Sequence, residues 1–259
     1  MPTFGICQLT LIPIRKEPAE PSEMVSQLLY GETFEIIGSK GSWSHIRTHF
    51  DNYKGWITTK MLTPMDGDEL NKYQLSNKIY LKEPVCRVSL TENKLPVSYL
   101  AGGSTLLEEN NQLILGNHIL GLEHTAALHR PDSKVDIVGT ALQFLNSPYL
   151  WGGRTIFGLD CSGFTQVVFK MNGFVLPSDA YQQAELGKTV HSLKDAQPGD
   201  LAFFDTGKGR IIHTGIILEH SEIIHSSGKV HIAKLDQEGI FYVEKNEYSH
   251  KLRLIKRYF

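Results

Sequence analysis

The apolar runs of this 259-residue chain are short over its first half, and nothing limits its possible folds more. Residues 1 to about 64 hold TFGICQLTLIPI, ETFEIIGS, WSHIRTHF and GWITTKM, parted by Gly31, Gly38, Gly41 and Asp51-Asn52. β-type runs of this length bounded by turn formers read as the strands of a small all-β barrel. A second set follows from about residue 70 to 125, with NKIYL, VCRVSL, LPVSYL, STLLEE, QLILG and HILGL and with Gly-Gly and Asn-Asn turns. Two small barrels in tandem are expected, alike in architecture and without a strict sequence repeat.

The pattern changes at His129-Arg130-Pro131-Asp132. VDIVGTALQFL then spaces Val135, Val138, Leu142 and Leu145 three and four apart, which predicts an amphipathic helix with that face inward, ended by Pro148. After the Gly-rich stretch YLWGGRTIFGLDCSGF, Phe164, Val167, Val168 and Met171 again share a helical face, and Gly173 is placed to close that helix. Pro198-Gly199 introduces three strand candidates, DLAFFD, HTGIILE and one run from Glu222 to Leu235. Helices first and sheet second make this part an α+β domain. The expected division is barrel one over 1–66, barrel two over 67–128 and the α+β domain over 129–259.

The 26 Lys and Arg against 28 Asp and Glu give a formal net charge of -2. So balanced a chain does not coat nucleic acid, and none is expected as a partner. No apolar run approaches the roughly 18 residues of a membrane helix, so no membrane association is expected either. Arg15 and Lys16 follow the LTLIPI run and Pro13 breaks it, the reverse of a secretory leader, which makes the expected location cytoplasmic. Cys7, Cys86 and Cys161 are odd in number and far apart, suggesting neither a disulfide framework nor a CxxC metal site. HExxH is missing too, so no metal and no cofactor are expected.

Cys161 directly follows Asp160 and precedes the second helix, which puts its sulfur at a helix N-terminus. The unpaired N–H groups and partial positive charge there favour a thiolate, drawing the pKa from ~8.5 toward roughly 3.5 to 7.5. A free cysteine is more often a small buried packing residue. Gly152, Gly153 and Gly158 upstream tip the balance, because close approach of a substrate backbone to a nucleophile requires missing side chains. A thiol nucleophile needs a base, and the base needs a third group to hold its tautomer. His213 opens HTGIIL and His225 lies 12 residues on in IIHSSGKV. Antiparallel pairing through the Glu219 to Glu222 turn makes them neighbours, with the register left open. His191, His220 and His231 read as structural or solvated, and Trp43 and Trp56 as barrel-core aromatics.

DCSGF preceded by YLWGG, then a PGD-hydrophobic strand, H-TGI and IIHSSG, in that order over about 130 residues, resembles the NlpC/P60 cysteine peptidases. The 52 residues from Cys161 to His213 and the 12 onward to His225 are similar to that family's spacing. The resemblance implies a papain-like domain with Cys161 as nucleophile, His213 as general base and then acid, and His225 as the group that orients it. It also implies Tyr149 in the oxyanion site beside the Cys161 backbone N–H, although packing between helix and loop accounts for that ring equally well.

Two small barrels ahead of such a domain resemble more narrowly the γ-D-glutamyl-L-diamino acid endopeptidases, which carry bacterial SH3-like domains and cleave murein peptides having a free N-terminal L-Ala. By that resemblance the partner is a murein tri- or tetrapeptide, met by a monomer in cell-wall peptide recycling. Asp160 and Ser162 match the residues that bind the terminal ammonium, a charge-assisted contact. Asp160 is equally well explained as the helix N-cap. Tyr53, in FDNYKGW, matches the barrel tyrosine that reaches the active site in relatives. Glu23 matches an acidic residue upstream of the YGE turn with a register about two residues off, and a solvated surface carboxylate is its plainer account. LPSDAYQQ places Ala180 where relatives carry Ser, so the contact to the D-glutamate carboxylate departs from the family pattern. Two other readings use the same residues. One is a wall-peptide binding protein with an inactive peptidase domain, disfavoured by the intact Cys161, His213 and His225; the other is a thiol acyltransferase or amidase on the same fold.

Overall fold

The computed structural model describes residues 3–90, 96–110, 112–115, 118–122, 128–130, 133–205, 209–219, 221–242 and 246–259; Asn111, Pro131, Asp132 and His220, used above, lie outside the described residues. The chain divides into two compact units, Met1–Ser133 and Lys134–Phe259. Among the described residues no helix is long and apolar enough to cross a membrane.

Among the described residues the first unit holds two seven-stranded antiparallel sheets. The first contains β1 (Phe4–Ile6), β2 (Leu11–Arg15), β3 (Met24–Leu29), β4 (Thr33–Lys40), β5 (Trp43–Thr48), β6 (Lys54–Thr58) and β7 (Thr63–Met65), in the order β3-β2-β6-β5-β4-β1-β7. Alternation along β5 turns Ser44, Ile46 and Thr48 inward. The core is Cys7, Ile12, Ile14, Leu28, Phe34, Ile46 and Ile57. Trp43 and Trp56 are half-buried outside it, and Trp56 stacks on His45 with ring centroids 4.6 Å apart. Strand parity corrects the expectation for both tryptophans, since the inner positions beside them belong to Ser44 and Ile57.

Helix α1 (Gly67–Leu75) follows, started by a capping box in which Asp66 and Glu69 exchange hydrogen bonds. The second sheet comprises β8 (Lys78–Leu81), β9 (Val85–Leu90), β10 (Pro96–Ala101), β11 (Thr105–Glu109), β12 (Gln112–Leu115), β13 (His118–Leu122) and β14 (Leu128–His129), ordered β10-β9-β13-β12-β11-β8-β14. The two sheets meet directly. Tyr30, in the turn between β3 and β4, packs with Ile79, Leu81, Val88 and Leu100 of the second core, and Tyr73 of α1 donates to the Gly31 carbonyl at 2.5 Å.

The second unit opens with α2 (Ile137–Leu142), a short ribbon of β15 (Arg154–Thr155) and β16 (Gly158–Leu159), α3 (Cys161–Lys170) and α4 (Ala180–Glu185). β17 (Lys188–Val190), β18 (Leu201–Asp205), β19 (Ile211–Ile217), β20 (Glu222–Ser227), β21 (Lys229–Leu235), β22 (Gly239–Tyr242) and β23 (Glu247–Arg257) complete it. Their order is β17-β23-β18-β19-β20-β21-β22, and β22 pairs back onto β23, so the sheet from β18 to β23 closes as a barrel. Glu222 to Leu235 is two strands and not one, because Gly228, at φ 71°, turns the chain and sets His225 opposite His231.

Helix α3 buries nine of its ten residues, including Phe164, Val167 and Val168, and Gly173, at φ 83°, lies just past its end. Helix α2 differs from expectation. It buries Ile137, Thr140 and Ala141, with Phe144 in the turn beyond, whereas Val135, Leu142 and Leu145 are each 39% exposed. The inner face accepts Thr140 because its hydroxyl donates to the Asp136 carbonyl at 2.6 Å and accepts from the Asn172 amide at 3.0 Å. Asn172 also donates to the Val168 carbonyl, tying α2 to the end of α3. The helix stops at Leu142, well before Pro148.

Candidate active site

Asp160 is the N-cap of α3. Its Oδ1 accepts from the Gly163 N–H at 2.7 Å and the Ser162 hydroxyl at 3.2 Å, and its Oδ2 accepts from the Gly152 N–H at 2.7 Å. One carboxylate therefore starts the helix and pins the preceding loop to it, with Cys161 as the first helical residue. Gly152 takes φ 72°, and a Cβ at Gly153 or Gly163 would collide with the carbonyls of Gly158 or Gly153 respectively. The loop and ribbon before Cys161 thus themselves require Gly152, Gly153 and, beneath the Leu150 side chain, Gly158, a packing reason for these glycines beside the expected one of access for substrate.

The helix start rests against one edge of β19. That strand pairs with β20 at Ile216–Ile224 and Ile217–Ile223, and further toward Ile211 its edge groups meet the sulfur. The Cys161 thiol donates to the Ile212 carbonyl at 4.0 Å, and the Thr214 N–H donates to the sulfur. Both groups flank His213 in the chain.

Burial is the largest influence on the thiol and pushes its pKa up to about 12, with the Asp160 charge acting the same way. The N–H groups of Thr214, Ser162 and Cys161 itself pull downward and are outweighed. The expectation of a lowered pKa is therefore corrected: a helix N-terminus favours the thiolate, but this sulfur is also desolvated and lies beside a carboxylate.

His213 Nε2 and His225 Nδ1 are 2.8 Å apart, both rings buried. Continuing the β19–β20 register makes His225 a diagonal neighbour of His213 on the same sheet face, which resolves the open register. The contact leaves Nδ1 as the ring nitrogen of His213 that can exchange a proton elsewhere. Burial, then the neighbouring imidazoles, hold His213 well below the usual histidine range; burial and then His231 take His225 down to about 3. Neutral histidines are the resting state.

Burial pushes the phenol of Tyr149, an exposed ring, up to about 12, and the charges of Cys161 and then Asp160 act in the same direction. Tyr53 and Glu23 belong to the first unit. The Tyr53 N–H donates to Thr48 Oγ1 at 2.9 Å, fixing the turn before β6, and Glu23 forms a 3.1 Å ion pair with Lys16. Ala180 is the first residue of α4, and from one turn further on Gln183 donates to the Ser162 carbonyl at 3.1 Å and accepts from Thr165 Oγ1 at 2.8 Å. His191 is exposed, while His231 lies on the neighbouring strand with its ring centroid 4.5 Å from that of His225. Two residues near the site have no place in the sequence expectations: Gln183, and His250 on β23, whose ring stacks on His213.

A family model described as the NlpC/P60 family matches residues 146–247, and one described as the bacterial dipeptidyl-peptidase Sh3 domain matches residues 14–62. A gamma-D-glutamyl-L-lysine dipeptidyl-peptidase of Bacillus subtilis (strain 168) is 30% identical over 217 residues, covering 78% of this chain and 71% of its own. A gamma-D-glutamyl-L-lysine dipeptidyl-peptidase of Bacillus cereus is 28% identical over 253 residues, covering 86% and 74%. The crystal structure of an NlpC/P60 family protein from Bacillus cereus has a TM-score of 0.81, with 99% of both chains covered at 21% identity, a likeness of fold. The first match extends over α3, β19 and β20, the elements that carry Cys161, His213 and His225, and the relatives span most of both chains. This chain belongs to the NlpC/P60 family, with a bacterial dipeptidyl-peptidase SH3 domain preceding the NlpC/P60 domain.

Proposed function

We propose that this chain is a cysteine peptidase of papain-like design that hydrolyses the bond between γ-D-glutamate and an L-diamino acid in murein peptides with a free N-terminal L-Ala. The observation that carries the reading is the thiol of Cys161 lying on the edge of β19 between Ile212 and Thr214, beside a His213 whose Nε2 is engaged by His225.

With thiol and imidazole neutral at rest, the proton moves as the bond forms. The sulfur attacks the γ-carbonyl carbon, and its proton passes to His213 Nδ1. The imidazolium is held by its Nε2–H donating to His225 Nδ1. Charge developing on the carbonyl oxygen is taken by the Cys161 N–H and the Tyr149 hydroxyl. His213 then protonates the departing α-amine of the diamino acid, leaving a thioester. Water, giving its proton to His213, cleaves that thioester and frees L-Ala-D-Glu and the thiol. These steps call for neither cofactor nor metal.

The Asp160 carboxylate, with Ser162, is assigned to the L-Ala ammonium, and Tyr53 and Glu23 are proposed as further contacts of that amine from their match to the pattern in relatives. A free L-Ala amine exists only on peptides already cut from the glycan. That selectivity supports recycling of released peptides as the role, and a cytoplasmic, monomeric enzyme is proposed with it. Both relatives are named for L-lysine, which supports lysine as the diamino acid over diaminopimelate.

The test is mass spectrometry of L-Ala-γ-D-Glu-L-Lys and its N-acetylated twin after incubation with the protein and with Cys161→Ala. Release of L-Ala-D-Glu from the free-amine peptide alone, and only by the unmodified protein, is expected. Cleavage of both peptides removes the ammonium role of Asp160. Cleavage of neither, or retained activity in folded Cys161→Ala, overturns the proposal.

A further inference from the structure

Four imidazoles line one end of the barrel interior, and the reaction proposed above uses two of them. His213 shares its strand face with Ile217, His225 with Ile223, His231 with Leu235 and His250 with Leu252, and these apolar partners belong to one core cluster. The interior thus carries an aliphatic layer and, next to it, a layer with one imidazole from each of β19, β20, β21 and β23. The rings are stacked, edge-on or tilted to one another, and among the described residues no three such side chains are grouped to hold a metal ion.

His250 lies almost flat on His213, with ring centroids 4.1 Å apart and planes inclined by 24°. His225 meets the His213 ring edge-on, at 5.0 Å and 85°. The first contact restrains His213 across its face, and the second restrains it in its plane through the hydrogen bond. His250 is itself held by a 2.9 Å contact of Nδ1 with the Ser249 hydroxyl and by pairing of its strand with Ile240 of β22. Phe204 of β18 completes the surround, 5.9 Å from His213 and 6.1 Å from His250.

We infer that His250 is a positioning residue for the His213 base: its neutral ring fixes the plane of His213, and a proton on His250 shuts the base down. The inference rests on the reading of His213 as the base. Two cations cannot be stacked at this separation without strong repulsion, so a charged His250 opposes formation of the His213 imidazolium that the first step requires. The ionisable groups facing His250 are His213 from β19 and His225 from β20, with His231 of β21 behind His225. β18 and β22 present Phe204 and Ile240. Burial lowers the His250 pKa, and among the described residues no carboxylate raises it. His250 is less buried than His213, so acid reaches it first.

Two measurements test this. In pH–rate profiles of peptide hydrolysis, His250→Phe keeps a flat ring that cannot be protonated. Its acid limb of kcat/KM is expected to move to lower pH by about half a unit or more. His250→Ala, which loses the ring, is expected to lower kcat roughly fivefold or more with KM unchanged. An unshifted acid limb in His250→Phe, or an unchanged kcat in His250→Ala, overturns the inference. The second measurement needs no turnover: ring resonances of His213 and His250 are titrated by NMR in the Cys161→Ala protein. His250 is expected to protonate while His213 stays neutral, and the opposite order overturns the inference. Absence of hydrolysis by the unmodified protein would sink the peptidase reading, while the order of protonation would still decide the role of His250.

Discussion

Cys161 is held between opposing influences. Three backbone N–H groups favour its thiolate, and burial with the Asp160 charge disfavours it more. Asn at position 160 removes the charge and keeps one oxygen to cap α3, at the loss of the bond from the Gly152 N–H, which its amide nitrogen cannot accept. Asp160→Asn is therefore expected to speed alkylation of Cys161 by iodoacetamide at pH 8 by about tenfold, followed as the mass of its peptide. The same substitution should slow cleavage of free-amine peptides more than of acylated ones, so reactivity and turnover would move in opposite directions. Unchanged alkylation would mean that burial alone sets the thiol. The N-cap and the position of Cys161 at the start of α3 were legible in DCSGF, because capping is local chemistry. The thiol's charge state was not, because desolvation depends on what packs above the helix, and that is β19 from about 50 residues away.

The two helices of the second unit show what periodicity can and cannot decide. In α3 the apolar positions Phe164, Val167 and Val168 have no rival apolar stripe to choose between, since nearly the whole helix is buried. In VDIVGTALQFL, Ile137, Ala141 and Phe144 make as good a stripe as Val138, Leu142 and Leu145, and the choice falls to Thr140, which is buried because Asn172 and the Asp136 carbonyl satisfy it. Phe144→Ala is accordingly expected to cost about 3 to 5 kcal/mol, and Leu145→Ser less than about 1 kcal/mol, by urea unfolding. Comparable losses at both positions would reverse the assignment of faces. β23 escaped notice for another reason. Its inward residues include Leu252 and Ile255, and the extra residue Arg253, opposite the step from Phe203 to Phe204, breaks the two-residue alternation that marks a strand. With that strand hidden, so was His250.

At the scale of the molecule the buried imidazoles couple stability to pH. An unfolded histidine takes up a proton below pH ~6.5, whereas His213 and His225 refuse it when folded, so the unfolded state binds more protons as acid is added. Stability is therefore full above about pH 6.5 and falls as the pH drops toward the folded value of about 3 for His225. At pH 5 the His225 ring is expected to remove ~2 kcal/mol, and His213 acts in the same direction. Urea midpoints at pH 7.5 and pH 5 check this, and equal midpoints would mean that the rings are charged in the folded protein. The closing of the barrel has a consequence in time. The turns from β18 to β23 are each short, but the ring is sealed only when β18 pairs with β23, reinforced by Arg257 donating to both oxygens of Asp200 at 2.8 and 2.7 Å. Ends about 50 residues apart meet late in folding. A single hairpin can unite His213 with His225, while His250 reaches them only aboard the strand that seals the ring. In a refolding experiment strand content would return ahead of the stacked base, and the final event of folding would be the one that readies the protein to work.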